Sequence, residues 1–220
     1  GMHDASVQFG VPIVGGHLHP DTPYSVIDVA ILGTAPKDSV IYSHTAKEGD
    51  SVIVAVDLNG RVHPSCILNW DSVTMKSREE VRSQVRVLEG LGRDRLVTAG
   101  KDISNPGVIG TLGMLLEVSG KGASIALDRL PMPDLLAHHM TFEQWVRIYP
   151  GMGFVLTAPG QNVPEISRRF EEVGMTARMV GHVTGDRMLR VGLRDDSALV
   201  FDFDKNGIMR LFSDDGSCPK

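Results

Sequence analysis

This chain is short of several things, and each shortage narrows what it does. It has two cysteines in 220 residues. Cys66 and Cys218 are far apart, the second in a polar tail, so no disulfide framework is implied and a reducing cytoplasm is the expected location. Positive charge is in deficit: 22 basic against 27 acidic residues give a net charge of −5, which offers no basic face to nucleic acid. No apolar run approaches the roughly 18 residues of a membrane helix, and no signal peptide is recognisable at the start. There is no Gly-x-Ser-x-Gly elbow, no Walker loop, and no Gly-x-Gly-x-x-Gly where a strand meets a helix. Internal repeats are absent, and the one low-complexity stretch is the tail, residues 213–220.

The rest of the composition is that of a globular protein: 42% hydrophobic and 22% charged, in a length that suits one domain or one and a half. The most informative stretch covers residues 101–116. Asn105 reads as an N-cap and Pro106 as the first helical residue, where a missing N–H costs nothing. Val108, Leu112 and Leu115 recur at helical spacing and Gly120 closes the element. Glycines at 107, 110 and 113 each cost about 1 kcal/mol of helix propensity relative to alanine. Such a helix start is expected to lie close to another backbone or to a ligand. Bare N–H groups there form an anion site, and Asp102 beside it makes sense if a metal ion bridges the two. A well-capped structural turn explains the same residues, and both readings stay open at this level.

Taken in order, residues 2–9 read as the end of a helix and 11–14 as a short strand stopping at Gly15-Gly16. Residues 24–32 are apolar on both faces, which predicts a strand buried on two sides or packed in an interface. Further strands are predicted over 40–43, 51–57, 123–127, 153–157 and 177–180, with a final antiparallel pair over 188–193 and 198–203. Residues 61–73 read as irregular. Ser77 and Glu80 form a capping box ahead of a helix whose buried stripe is Val81, Val85 and Leu88, ended by Gly90 and Gly92. Thr141 and Gln144 form a second box. Another helix starts at Asn162, with Ile166, Phe170 and Val173 inward. Irregular alternation with terminal hairpins places the chain in the α+β class, with helices on a mixed or antiparallel sheet.

Eight histidines invite a metal reading. His17-x-His19-x-Asp21 sets two imidazoles on one side of an extended segment, with His63 or His138-His139 as a third ligand. No Cys or Glu is spaced around them as a recognisable set, and polar lining of a turn is the plainer reading.

Residues 9–17, 46–52, 101–105, 151–155, 162–165 and 180–183, taken together and in that order, resemble the aminoimidazole ribonucleotide (AIR) synthase, or PurM-like, superfamily, and within it an uncharacterised AIR-synthase-related subfamily. Phe9-Gly10-Val11-Pro12-Ile13-Val14-Gly15-Gly16-His17 looks like the motif that closes the family's first domain. Ala46-Lys47-Glu48-Gly49-Asp50-Ser51-Val52 looks like the start of its second. Lys101-Asp102-Ile103-Ser104-Asn105 stands where relatives carry an Asp-x-Ser-Asp-Gly helix start. Gly151-Met152-Gly153-Phe154-Val155, Asn162-Val163-Pro164-Glu165 and Val180-Gly181-His182-Val183 complete the family order.

The resemblance implies that residues 1–36 are a remnant of the first domain, its last helix and strand, that 37–212 are the C-terminal domain, and that 213–220 are a tail. It implies ATP and Mg2+ as cofactors of a complete homologue, a small phosphorylated substrate and a homodimer. The Asp-Asp-Ala motif that relatives use for magnesium is not in these residues, so this stretch by itself is expected to be inactive. Carried over, Asp102 is the catalytic, magnesium-holding residue. Lys101, Ser104, Asn105 and Gly107 meet phosphate, and Gly15, Gly16, His17 and His19 wall the cleft. Asn105 departs from the acidic or glycine residue of the motif, and His17 and His19 from a threonine-bearing turn. The functions left standing are an ATP-dependent phosphoryl-transfer enzyme, kinase- or ligase-like; a non-catalytic ligand-binding or assembly module of the same fold; and a small metallohydrolase.

Overall fold

The structure, a computed structural model, describes residues 1–21 and 23–209. The expected tail at 213–220, with Cys218, lies outside them. The order is α1 (Met2–Phe9), β1 (Ser51–Val56), β2 (Arg61–His63), β3 (Cys66–Asp71), α2 (Arg78–Arg93), β4 (Ala99–Asp102), α3 (Gly107–Ser119) and β5 (Gly122–Ala126). Then come α4 (Phe142–Arg147), β6 (Tyr149–Pro150), β7 (Gly153–Ala158), α5 (Val163–Glu171), β8 (Thr176–Thr184), β9 (Met188–Leu193) and β10 (Asp196–Asp202). Seven strands form one sheet in the order β10-β9-β5-β8-β1-β7-β4, antiparallel except for the β5–β9 pair. A second sheet holds β2, β3 and β6. The class is therefore α+β with a mostly antiparallel sheet.

Every residue of β1 is buried, because it lies mid-sheet with helices on both sides. Val52, Val54 and Val56 join Leu112 and Leu116 of α3 in one core. Ile53 and Ala55 point the other way, to Val81 and Leu91 of α2 and to Ile166 and Phe170 of α5. Alternating side chains of one strand thus serve two cores, the consequence of a period of two.

Several expectations need correction. The strand predicted over residues 24–32 does not form: Tyr24, Val26, Ile27, Ile31 and Leu32 are exposed in a stretch without regular secondary structure, and the same holds for the strand predicted over 11–14. A strand needs a neighbouring strand for its backbone groups, and among the described residues no strand pairs with this segment. Residues 40–43 are not a strand either, although Gly100 N–H donates to the Tyr42 carbonyl at 3.0 Å. The region read as irregular contains the β2–β3 hairpin. In α2 the capping box forms as expected, but the buried set is Val81, Gln84, Val87 and Leu91, while Val85 is exposed. Gly90 and Gly92 do not end that helix. A Cβ on Gly92 would lie 2.2 Å from the Ser39 carbonyl oxygen, so close packing accounts for that glycine. Asn105 is not the cap of α3: Pro106 holds that position, with no side-chain cap, and the helix begins at Gly107. At α4 only half of the expected box forms, since Thr141 accepts from Gln144 N–H while the Gln144 side chain donates to the Ile67 carbonyl.

α1 packs on α2 through Arg82, whose guanidinium donates to the carbonyls of Val7 (2.8 Å) and Gln8 (3.1 Å). Those are carbonyls of the last turn of α1, left without partners by the helix itself.

Candidate functional site

β4 is an edge strand, paired on one side only, with Lys101 opposite Val155 and Asp102 opposite Phe154. On its other side Gly100 N–H donates to the Tyr42 carbonyl, and residues of 34–44 and of β4 together line a groove of about 780 Å³. Phe154, Leu156 and Gly100 of the sheet, Leu88 and Glu89 of α2, and Tyr42 and His44 are among the residues that line it. Gly100 permits this closeness, because a Cβ there would meet Leu156 at 2.8 Å and Ile41 at 2.9 Å. The segment of Ser43 and Thr45 is tied down by Thr45 Oγ1 donating to the Thr98 carbonyl at 2.6 Å and by Ser119 Oγ donating to the Ser43 carbonyl at 3.3 Å.

Lys101 and Asp102 lie in the groove lining. The Asp102 side chain is 68% exposed; its Oδ2 accepts from Ser104 Oγ at 2.8 Å, and Lys101 Nζ lies 3.4 Å from Oδ1. Ser104 is oriented in turn by buried Thr111, whose Oγ1 accepts the Ser104 N–H at 3.0 Å. An exposed carboxylate thus stands beside an ammonium and close to a helix start without a side-chain cap.

The structure brings Lys101, Asp102 and Ser104 together. Asn105 is exposed on the adjoining turn. Gly107 is buried against the end of α4: its φ is +68°, and a Cβ would lie 2.6 Å from the Val146 carbonyl oxygen. Another backbone therefore accounts for this glycine. Gly15, Gly16, His17 and His19 lie on the exposed stretch and do not line the groove. Among the described residues no three His, Cys, Asp or Glu side chains are grouped to hold a metal. His63 is engaged through Nδ1 by the Ser65 N–H, and His138 stacks edge-on to Trp70 at 4.8 Å. Sequence reasoning missed Tyr42, His44 and Glu89. Nothing in their local pattern marks them, since they meet only when residues 34–44 and α2 converge on the edge strand.

Perturbed ionisation lies away from the groove. The Tyr149 hydroxyl and the Leu68 and Asn69 backbone hold the Cys66 thiol below its ordinary value. Hydrogen bonds from Arg168 and Arg169 bring Glu165 down to about 2.

Residues 40–194 match the family described as AIR synthase related protein, C-terminal domain. A protein of Methanocaldococcus jannaschii is 45% identical over 208 residues, covering 94% of this chain and 63% of the relative. One of Synechocystis is 35% identical over 214 residues, covering 97% and 65%. The chain thus spans a little under two thirds of the length of these relatives. Among solved structures, Thermotoga maritima PurL complexed with FGAR superposes with a TM-score of 0.63 at 15% identity, over 77% of this chain and 29% of that one. The same PurL complexed with ATP gives 0.61 at 16%, over 76% and 27%. At those identities the likeness speaks for the fold. With the family match spanning most of its length, the chain belongs to the AIR synthase related proteins and carries their C-terminal domain.

Proposed function

We propose that this chain is the C-terminal part of an ATP- and magnesium-dependent enzyme, kinase- or ligase-like, that transfers a phosphoryl group to or from a small phosphorylated metabolite. One observation carries the reading: the groove along β4 has Lys101 and Asp102 in its lining, in a domain of this family. PurL of the same fold has been solved with ATP and with FGAR, which supports a nucleotide and a small substrate here. Asp102 would hold the magnesium ion, which supplies charge neutralisation at the phosphoryl oxygens. Lys101 and Ser104 position the anion, and Thr111 keeps the Ser104 turn in place. Phosphoryl transfer asks for positioning and charge stabilisation more than for a protein nucleophile, so this sparse set suffices for one half of a site. The protein acts as a homodimer joined through residues 24–43, whose apolar side chains are exposed.

The test is anion binding. Sulfate or phosphate affinity, followed by thermal shift, should rise when magnesium is added. Asp102→Asn should abolish the magnesium dependence without lowering the melting temperature, because the side chain is mostly exposed. Anion binding indifferent to magnesium in the wild-type chain overturns the reading. This chain alone should show no ATP turnover; turnover that disappears in Asp102→Ala would contradict that expectation.

A further inference from the structure

The groove has more chemistry than phosphate binding uses. Its lining includes the apolar side chains of Phe154 and Leu156 and two aromatic rings, Tyr42 and His44, with centroids 5.2 Å apart and planes at 57°. Glu89, on the exposed face of α2, belongs to the same lining. Asp102 is engaged by Lys101 and Ser104, whereas Glu89 has no ion pair or hydrogen bond among the described residues. The basic residues nearest to Glu89 on α2 are committed elsewhere. Arg93 turns to Asp94 at 3.4 Å, and Arg86 lines the junction with α1 on another side of the helix.

Apolar side chains, an aromatic pair and an unpaired carboxylate in one groove together select a flat ring bearing positive charge. The π face of Tyr42 attracts a cation, and Glu89 compensates its charge. A neutral ring would gain the burial without either electrostatic contribution, and an anionic ring would be repelled by Glu89. We infer that the groove between α2 and residues 40–44 is a subsite for a planar, cationic nitrogen heterocycle, the ring end of the substrate whose phosphate lies toward Lys101 and Asp102. This rests on the reading of the groove as the substrate cleft and adds to it the class of the substrate.

The experiment uses two rings of one shape, 1-methylnicotinamide with a fixed positive charge and nicotinamide without it. Binding to this chain is measured by ligand-observed saturation-transfer NMR, without nucleotide or magnesium, at pH 8. The cationic ring should bind about fivefold more tightly than the neutral one. Glu89→Gln should bring the two within about twofold, and Tyr42→Ala should weaken the cationic ring about fivefold. Both side chains are exposed enough for the variants to fold. Equal binding of the two rings, binding of neither, or a preference that survives in Glu89→Gln overturns the subsite. The probes have no phosphate, so the two proposals fail separately. Magnesium-dependent anion binding without ring selectivity leaves phosphoryl transfer standing and removes the subsite; ring selectivity without magnesium-dependent anion binding does the opposite.

Discussion

Gly107→Ala separates two explanations of the glycine-rich helix start. If glycine is there to admit a ligand, alanine should weaken binding and leave stability nearly untouched. The structure requires the reverse. Gly107 has φ +68°, a conformation that costs an L-residue with a Cβ about 1–2 kcal/mol. The new Cβ would also stand 2.6 Å from the Val146 carbonyl oxygen and 3.1 Å from the Arg147 carbonyl carbon, both backbone atoms at the end of α4. Overpacking against groups that cannot rotate away adds about 1–3 kcal/mol. The expected loss is therefore about 2–5 kcal/mol, or about 4–20 °C in melting temperature for a chain of this length. Urea unfolding followed by circular dichroism measures it, with Asp102→Asn as a neighbour expected to fall near wild type. A Gly107→Ala protein within about 0.5 kcal/mol of wild type that has lost anion binding would refute the packing argument and restore the ligand one.

Lys76→Met should destabilise by about 3–5 kcal/mol, because Lys76 Nζ lies 2.6 Å from the carboxylate of fully buried Asp57. The double variant with Asp57→Asn should recover much of that loss in the same unfolding assay. At Asp71, burial pushes the carboxyl up, but hydrogen bonds from the Thr74 hydroxyl and the Thr74 and Val73 N–H groups, with Arg61, outweigh it and hold the pKa below the usual range. Its contribution is complete above the unfolded carboxylate value of about 4 and is lost as pH falls through the lower folded value. Thr74→Val should therefore move acid unfolding, read by tryptophan fluorescence, to higher pH; an unchanged midpoint counts against this. Sedimentation at tens of micromolar should show a dimer that Ile27→Lys dissociates, and a monomeric wild-type chain would defeat the assignment.

Where a segment's own residues and its immediate neighbours specify its conformation, the sequence was enough. The Ser77–Glu80 box, the left-handed Gly120 stop and the β-branched run of β1 each emerge where local chemistry places them. The order of motifs likewise pointed to the AIR synthase related domain. Boundaries set by packing were not legible. Gly92 sits inside a helix because Ser39 lies against it, and Gly107 opens one because α4 does. The apolar pattern of residues 24–32 was read correctly as residue character but not as structure, since pairing of a strand is a property of its neighbour. The groove belongs wholly to the tertiary level: Tyr42, Glu89 and Lys101 are spread through the chain, and only the docking of residues 34–44 and α2 against edge strand β4 brings them to one surface. Local propensity and hydrophobic period act over a few residues, so they determine elements and their chemistry. Which chemistry meets which is decided by the close packing of those elements, and no window of the sequence contains it.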